Sequence, residues 1–310
     1  MESKFSHLPD IKTIQPDRLI KYRVSEDKFS AEVLLPGLSY TDFDQKIGGK
    51  VSLWSLGKVL EAARWQGMIH GFIYYPETRV ENAFFVASQS IKFSKKFNDI
   101  RYKSHYGENR PLRAKVYVSN VGKTSFTIAL DLFDDKSGVK LAQNLLVGVN
   151  VSRNKRKPAP IPKYFYNNLD QYLKNVENRT IERSVLPTIP SKAFRYEIKC
   201  VHSDCDMNKH ITQAAYLKYC SDAASVGSLT GHFDQFRRHI ELYPLKSTVF
   251  HYIGEALVND TIAVKVWEKE GCFRTLDFAI TRKEKIIFIM KMEFYDGKPA
   301  VVSPHLVSKL

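Results

Sequence analysis

The run Val201 to Ala224, VHSDCDMNKHITQAAYLKYCSDAA, constrains this chain most, because it feeds a polar loop directly into a helix. Asp204, Asp206, Asn208 and His210 occupy alternate positions, so an extended loop would point them to one side. Ile211, Ala215, Tyr219, Ala223 and Val226 then recur at helical spacing. The polar groups therefore stand at a helix N-terminus, where unpaired backbone N–H groups and the positive end of the dipole can hold a developing oxyanion. Capping accounts for one or two such side chains, but not for four at spacing two followed by Gln213 and Tyr216.

The same pattern recurs in degraded form near the start of the chain. Tyr40-Thr41-Asp42-Phe43-Asp44 aligns with His202-Ser203-Asp204-Cys205-Asp206, and after a two-residue difference Lys50-Val51-Ser52 aligns with His210-Ile211-Thr212. A helix from Val51 to about Met68 follows, with Leu53, Leu56, Leu60 and Ala63 on one face. This first copy lacks the Asn and the His. Gly48-Gly49-Lys50 reads as a flexible turn able to meet a phosphate, while Asp44 reads as a loop anchor, with residual chemistry at Asp42 and Asp44 the alternative. Glu61 reads either as a group serving a site from the helix or as a surface residue.

Each helix is followed by strand-like segments. In the first half these are Asn82–Phe93, Leu112–Ser119, Ser125–Phe133 and Leu141–Val151, after a short strand at Ala31–Leu35; turns fall at Gly122-Lys123 and at Asp135 to Gly138. In the second half they are Ala193–Val201, Ser247–Val258, Thr261–Trp267, Cys272–Ile280 and Ile286–Tyr295. The tyrosine- and asparagine-rich segment 163–192, with Pro187 and Pro190, reads as a connection that holds a short helix around Leu169 to Val176. The expected organisation is an α+β chain of two repeats, 1–162 and 193–310, each a long helix wrapped by an antiparallel sheet, joined by that linker.

The motif Asp204-x-Asp206-x-Asn208-x-His210-Ile211-x-Gln213-x-x-Tyr216 resembles the D-x-D-x-N-x-H-V-x-N-x-x-Y segment of plant acyl-acyl-carrier-protein thioesterases. More loosely, it is similar to the D-x-D-x-x-G-H-V-N-N segment of hotdog-fold acyl-CoA thioesterases. Tyr252-Ile253-Gly254-Glu255-Ala256 resembles the Y-R-R-E-C strand of the plant enzymes. The resemblance implies a double hotdog and hydrolysis of a fatty acyl thioester, with Asp206, Asn208, His210 and Glu255 at catalytic positions. Asp206 would orient or deprotonate water, or attack directly; Asn208 would position water or carbonyl; His210 would polarise the site or shuttle a proton. Strand alternation puts Glu255 with Ile253 and Leu257 in apolar company, which would favour its neutral form; a solvated sheet edge is the competing reading.

Two alternatives accompany this one. An (R)-specific enoyl-CoA hydratase shares the double hotdog, but its D-x-N-P-x-H motif carries a proline and one more residue between Asn and His. A non-catalytic acyl-CoA-binding protein would not need the Asp-Asn-His set.

Composition narrows the setting. The formal net charge of +14 favours anionic partners. No nucleic-acid module or membrane-length apolar run appears. The basic charge together with the C-terminal tripeptide Ser308-Lys309-Leu310 makes the phosphates of CoA the expected anion, met by Arg153, Lys155, Arg156 and Lys209, with Arg237 and Arg238 as further candidates. Four cysteines, Cys200, Cys205, Cys220 and Cys272, lack C-x-x-C pairing and fit a reducing compartment; no metal or cofactor is expected. Cys205 faces away from the motif acids and reads as structural. The N-terminus is polar and unlike a secretory signal, whereas Ser308-Lys309-Leu310 matches the tripeptide read by the peroxisomal import receptor. A peroxisomal matrix protein acting on fatty acyl-CoA, as a monomer or homo-oligomer, is the resulting expectation.

Overall fold

The computed structural model describes residues 2–73, 82–102, 110–161, 163–206 and 209–300. Asn208 and Ser308-Lys309-Leu310 lie outside the described residues. The chain divides into two compact units. Unit 1 comprises 1–38, 59–91 and 109–183, and unit 2 comprises 39–58, 92–108 and 184–310.

Unit 1 is built on strands in the order β1 (Lys21–Val24), β2 (Ser30–Leu35), β6 (Leu112–Val121), β7 (Ser125–Asp134), β8 (Lys140–Ser152) and β5 (Asn82–Phe93). The pairs β1 with β2, β2 with β6, β6 with β7 and β7 with β8 are antiparallel. β2 is buried along its whole length, which suits an uninterrupted Ser-Ala-Glu-Val-Leu-Leu run. Its one charge, Glu32, is met by Arg23 at 2.6 Å and Arg113 at 3.2 Å, as a buried carboxylate requires. Helix α1 (Leu53–Ile69) buries Leu53, Leu56, Leu60 and Ala63, the face its spacing predicts, and leaves Glu61 exposed in solvent. Gly67 lets α1 approach β2, since a Cβ there would stand 3.3 Å from Ala31 Cβ. The connection carries a helix, α3 (Lys163–Leu173), earlier in the segment than its composition suggests. The lead-in supplies β1, which the sequence pattern does not single out.

Unit 2 holds β10 (Leu245–Tyr252), β13 (Lys285–Phe294), β12 (Thr275–Arg282), β11 (Thr261–Glu268) and β9 (Phe194–Lys199), in that order and antiparallel throughout. Helix α4 (Gln213–Leu229) is buried almost all round and packs on β9 and β11. Gly227 permits the contact with β9, because a Cβ would stand 3.1 Å from the Phe194 ring, and it leaves room for Phe233, which a Cβ would meet at 2.8 Å. The first turn of α1 also belongs to this unit and approaches α4, with Gly57 facing Leu217 and Ala214. Small residues at that crossing let the two backbones come close. The short β3 (Phe43–Asp44), β4 (Lys50–Val51) and α2 (Lys95–Asn98) complete the unit.

β10 stops at Tyr252, six residues short of the alternating run in the sequence. Ile253 and Gly254 both donate their N–H to Ile287 O at 2.9 Å, so the backbone leaves the ladder there. Strand alternation therefore does not extend to Glu255. Among the described residues no helix is long and apolar enough to cross a membrane, and no group of three metal-ligating side chains forms.

Candidate functional site

The motif loop is a tight closed turn rather than an extended segment. Asp206 N–H donates to His210 O at 2.8 Å, Lys209 N–H donates to Asp206 O at 3.0 Å, and His210 N–H donates to the Asp206 carboxylate at 3.0 Å. Lys209 takes a left-handed backbone with φ of 65° to close the turn. The alternate acids consequently separate. Asp204 sits in a short 3-10 turn, His202–Asp204, and its carboxylate accepts from Lys218 Nζ at 2.6 Å and Tyr219 Oη at 2.7 Å. It ties the start of the loop to α4, and burial together with the Asp204 charge raises the Tyr219 phenol.

Asp206 and Glu255 both reach His210, the first at its backbone N–H and the second at its imidazole. His210 forms a backbone bridge with Leu257, and Ile211 N–H donates to Ala256 O at 3.1 Å, so the turn carrying Glu255 lies along the motif loop. His210 Nε2 is 3.4 Å from Glu255 Oε2. The Glu255 side chain is 58% exposed, so the apolar surroundings suggested by alternation give way to the solvated alternative. A carboxylate at that distance can orient the imidazole.

Helix α4 begins just beyond. Thr212 is its N-cap, the Thr212 hydroxyl accepting from Ala215 N–H at 3.3 Å, so one of the donors available for an oxyanion is occupied. Cys205 stays an inert thiol: burial raises it, and the Asp204 and Asp206 charges raise it further. Arg153, Lys155 and Arg156 are exposed on the turn after β8 in unit 1, with Arg153 donating to Asn82 O at 3.1 Å, whereas Lys209 lies within the motif turn in unit 2.

Tyr216, the last residue of the motif, holds the Glu255 turn from below. Its hydroxyl accepts from Ala256 N–H at 3.0 Å, its ring stacks on Phe288 with centroids 4.9 Å apart, and burial pushes its pKa up to about 12. Tyr216→Phe keeps the ring and strips the buried Ala256 N–H of its acceptor, which costs about 1–3 kcal/mol. Urea unfolding of that variant is expected to show this loss, and stability equal to wild type would show that the turn does not depend on the phenol.

The first copy of the loop repeats the backbone of the second. Phe43 pairs with Val51 and Asp44 with Lys50, as Cys205 bridges Ile211 and Asp206 bonds His210. Ser52 N–H donates to Asp42 O at 3.3 Å where Thr212 N–H donates to Asp204 O at 2.9 Å. Ser55 N–H bonds the Ser52 hydroxyl at 3.3 Å, repeating the Thr212 cap. Lys50 bridges Arg101 as His210 bridges Leu257, so Asp99, two residues before Arg101, is the positional counterpart of Glu255. The correspondence of Asp99 with Glu255 is hidden in the sequence, because the chain runs eight residues from the end of β5 to Arg101 and only five from the end of β10 to Leu257. Asp42 and Asp44 serve as loop anchors, accepting from Ser39 N–H at 2.7 Å and Lys46 N–H at 2.9 Å. Lys50 does not offer itself to a phosphate at the surface: it is 6% exposed, and its ammonium turns inward to Glu241 O at 2.6 Å.

No family model matches the sequence, and no curated protein matches it. Solved structures do. An acyl-ACP thioesterase from Bacteroides thetaiotaomicron superposes with a TM-score of 0.65 at 15% identity, over 87% of this chain and 99% of that one. The 12:0-ACP thioesterase from Umbellularia californica superposes with a TM-score of 0.65 at 12% identity, over 90% of this chain and 98% of that one. At such identity the likeness is one of architecture, and the chain has the hotdog-type fold of these acyl-ACP thioesterases.

Proposed function

We propose that the protein hydrolyses fatty acyl-CoA thioesters, releasing a fatty acid and CoA, from one site centred on Asp206, Asn208, His210 and Glu255. The observation that carries this reading is the convergence of Asp206, His210 and Glu255 on one loop and one turn at a helix start. In this scheme water attacks the thioester carbonyl carbon while Asp206 receives its proton. The resulting oxyanion lies toward the start of α4, where one well-placed donor is worth about 3 kcal/mol. Collapse of the tetrahedral adduct breaks the C–S bond, and the imidazolium of His210, held by Glu255, protonates the leaving CoA thiolate. Asp206 then releases its proton to solvent and the neutral imidazole of His210 takes one up from solvent, which closes the cycle.

The proposal includes two hotdog repeats, 1–162 and 193–310, of which only the second keeps the imidazole. CoA as the carrier rests on the basic charge, and peroxisomal delivery rests on Ser308-Lys309-Leu310, both features of the sequence. The test incubates the purified full chain with acyl-CoA, enoyl-CoA or acyl-ACP, following free thiol and the conjugated enoyl absorbance. Release of CoA from acyl-CoA is the expected result. Loss of enoyl absorbance without thiol would replace this reading with hydration, binding without turnover would replace it with a carrier role, and release from acyl-ACP alone would replace CoA as the carrier.

A further inference from the structure

Beside the first copy of the loop, entirely within unit 2, the structure holds a partly open cavity. Its wall is aromatic and aliphatic, with Phe93, Phe97, Met292 and Phe294 among its lining, and three polar groups converge on it: Lys50, Ser221 and Glu241. Lys50 and Ser221 are buried, and Glu241 is half-buried. Lys50 is 6% and Ser221 is 4% exposed.

The wiring of these groups leaves one kind of vacancy for a ligand. Lys50 Nζ donates to Glu241 O at 2.6 Å and only at the outer limit, 3.5 Å, to Tyr243 O, so an ammonium with three donors has capacity left. The Ser221 hydroxyl stands near enough to the Glu241 carboxyl to lower its pKa, yet among the described residues it meets hydrogen-bond geometry with no protein atom. A buried hydroxyl facing a cavity without a partner is a position a ligand oxygen can fill. Asn98, also in the wall, is fully used: its amide donates to Ser94 O and Leu245 O and accepts from Leu245 N–H.

Charge then selects the ligand. Burial is the main cause that lowers Lys50, to about 8, which leaves it a cation at neutral pH, and burial pushes Glu241 up to about 7, which weakens its opposing charge. A dianion would meet the partly ionised Glu241, and a cation would meet Lys50. A singly charged head with an apolar tail satisfies both the polar end and the wall.

We propose that this cavity is a binding site for an aliphatic monocarboxylic acid, whose carboxylate is held by Lys50 Nζ and Ser221 Oγ and whose chain lies against Phe97, Met292 and Phe294. The loop copy without a histidine has thereby become a place that receives a carboxylate rather than one that makes it. The proposal does not depend on hydrolysis at Asp206.

Calorimetric titration of the intact chain with hexanoate at neutral pH tests it. Saturable binding of one molecule per chain is expected. Lys50→Met should weaken it at least about tenfold, the worth of a charge-assisted hydrogen bond, and Ser221→Ala by about threefold to tenfold. Asp206→Asn should bind hexanoate as wild type does, which separates this cavity from the motif site. Hexylamine and inorganic phosphate should not bind. Should Lys50→Met fail to fold, Ser221→Ala and a cavity-filling Met292→Trp carry the same test. Absence of saturable binding to folded wild type, unchanged binding in the lysine or serine variants, preference for hexylamine or phosphate, or loss of binding in Asp206→Asn would each overturn it.

Discussion

Asp206→Asn is expected to reduce hydrolysis of acyl-CoA by about 100-fold to 10,000-fold, the range spanned by removal of a positioned acid or base, while the protein folds as before. The geometry makes this substitution unusually clean. The Asp206 carboxylate accepts the His210 N–H that closes the motif turn, and the Asn side-chain carbonyl can accept the same bond. What is lost is the charge and the capacity to take up a proton. Circular dichroism and thermal unfolding should therefore match wild type, and the defect should appear in kcat rather than in KM. His210→Ala should also lower kcat, because it removes the group assigned to the leaving thiolate, whereas Glu255→Gln should act more mildly, since its carboxylate is exposed and only orients the imidazole. A purified, folded Asp206→Asn protein with wild-type turnover would remove Asp206 from the mechanism.

Much of this architecture is legible in the sequence because it rests on periodic burial. Leu53, Leu56, Leu60 and Ala63 announce α1 by spacing alone, and the alternating runs of the second half give β11 and β13 within one or two residues. The internal repeat is legible for the same reason: Asp44 and Asp206 recur with the same helix behind them, and the structure reproduces the same backbone bonds. The failures are tertiary. Spacing two predicts one face only if the backbone is extended, and the 3-10 turn His202–Asp204 carries Asp204 to Lys218 and Tyr219 of α4, away from Asp206. The setting of Glu255 depends on β10 ending at Tyr252, which Ile287 decides by accepting two consecutive N–H groups from the other strand. Asp99 and Glu241 leave no periodic trace at all. Asp99 is defined by a bridge between residues 51 positions apart, and Glu241 by an N–H of a helix 188 positions away.

Glu241→Gln is expected to stabilise the protein at about pH 8 and to have little effect at about pH 5, as the linkage between proton binding and folding requires. Glu241 accepts the Leu53 N–H at 3.1 Å, at the start of α1. Burial pushes its carboxyl up to about 7 and the Asp44 charge adds to this, against the lowering influences of Leu53 N–H, Ser221 and Lys50. The folded protein thus keeps a proton that the unfolded chain releases near 4.5. Stability falls as pH rises through that window and stays reduced above it, by on the order of 3 kcal/mol for a displacement of this size. Lys50 acts with the opposite sign at higher pH. Burial and the Arg101 charge lower it from 10.5 to about 8, with Glu241 and Asp99 opposing, so its cost is full below 8 and is relieved as pH rises toward 10.5. The pair together places a stability minimum between 7 and 8, and His239, lowered mainly by burial and bonded to Ser225, adds no cation there. Glutamine preserves the acceptor for Leu53 and removes the ionisation, so the gain over wild type should grow steadily from about pH 5 to about pH 8 in urea unfolding. A gain that is the same at both ends would show that Glu241 does not hold the proton, and that the buried end of this cavity is charged through the whole neutral range.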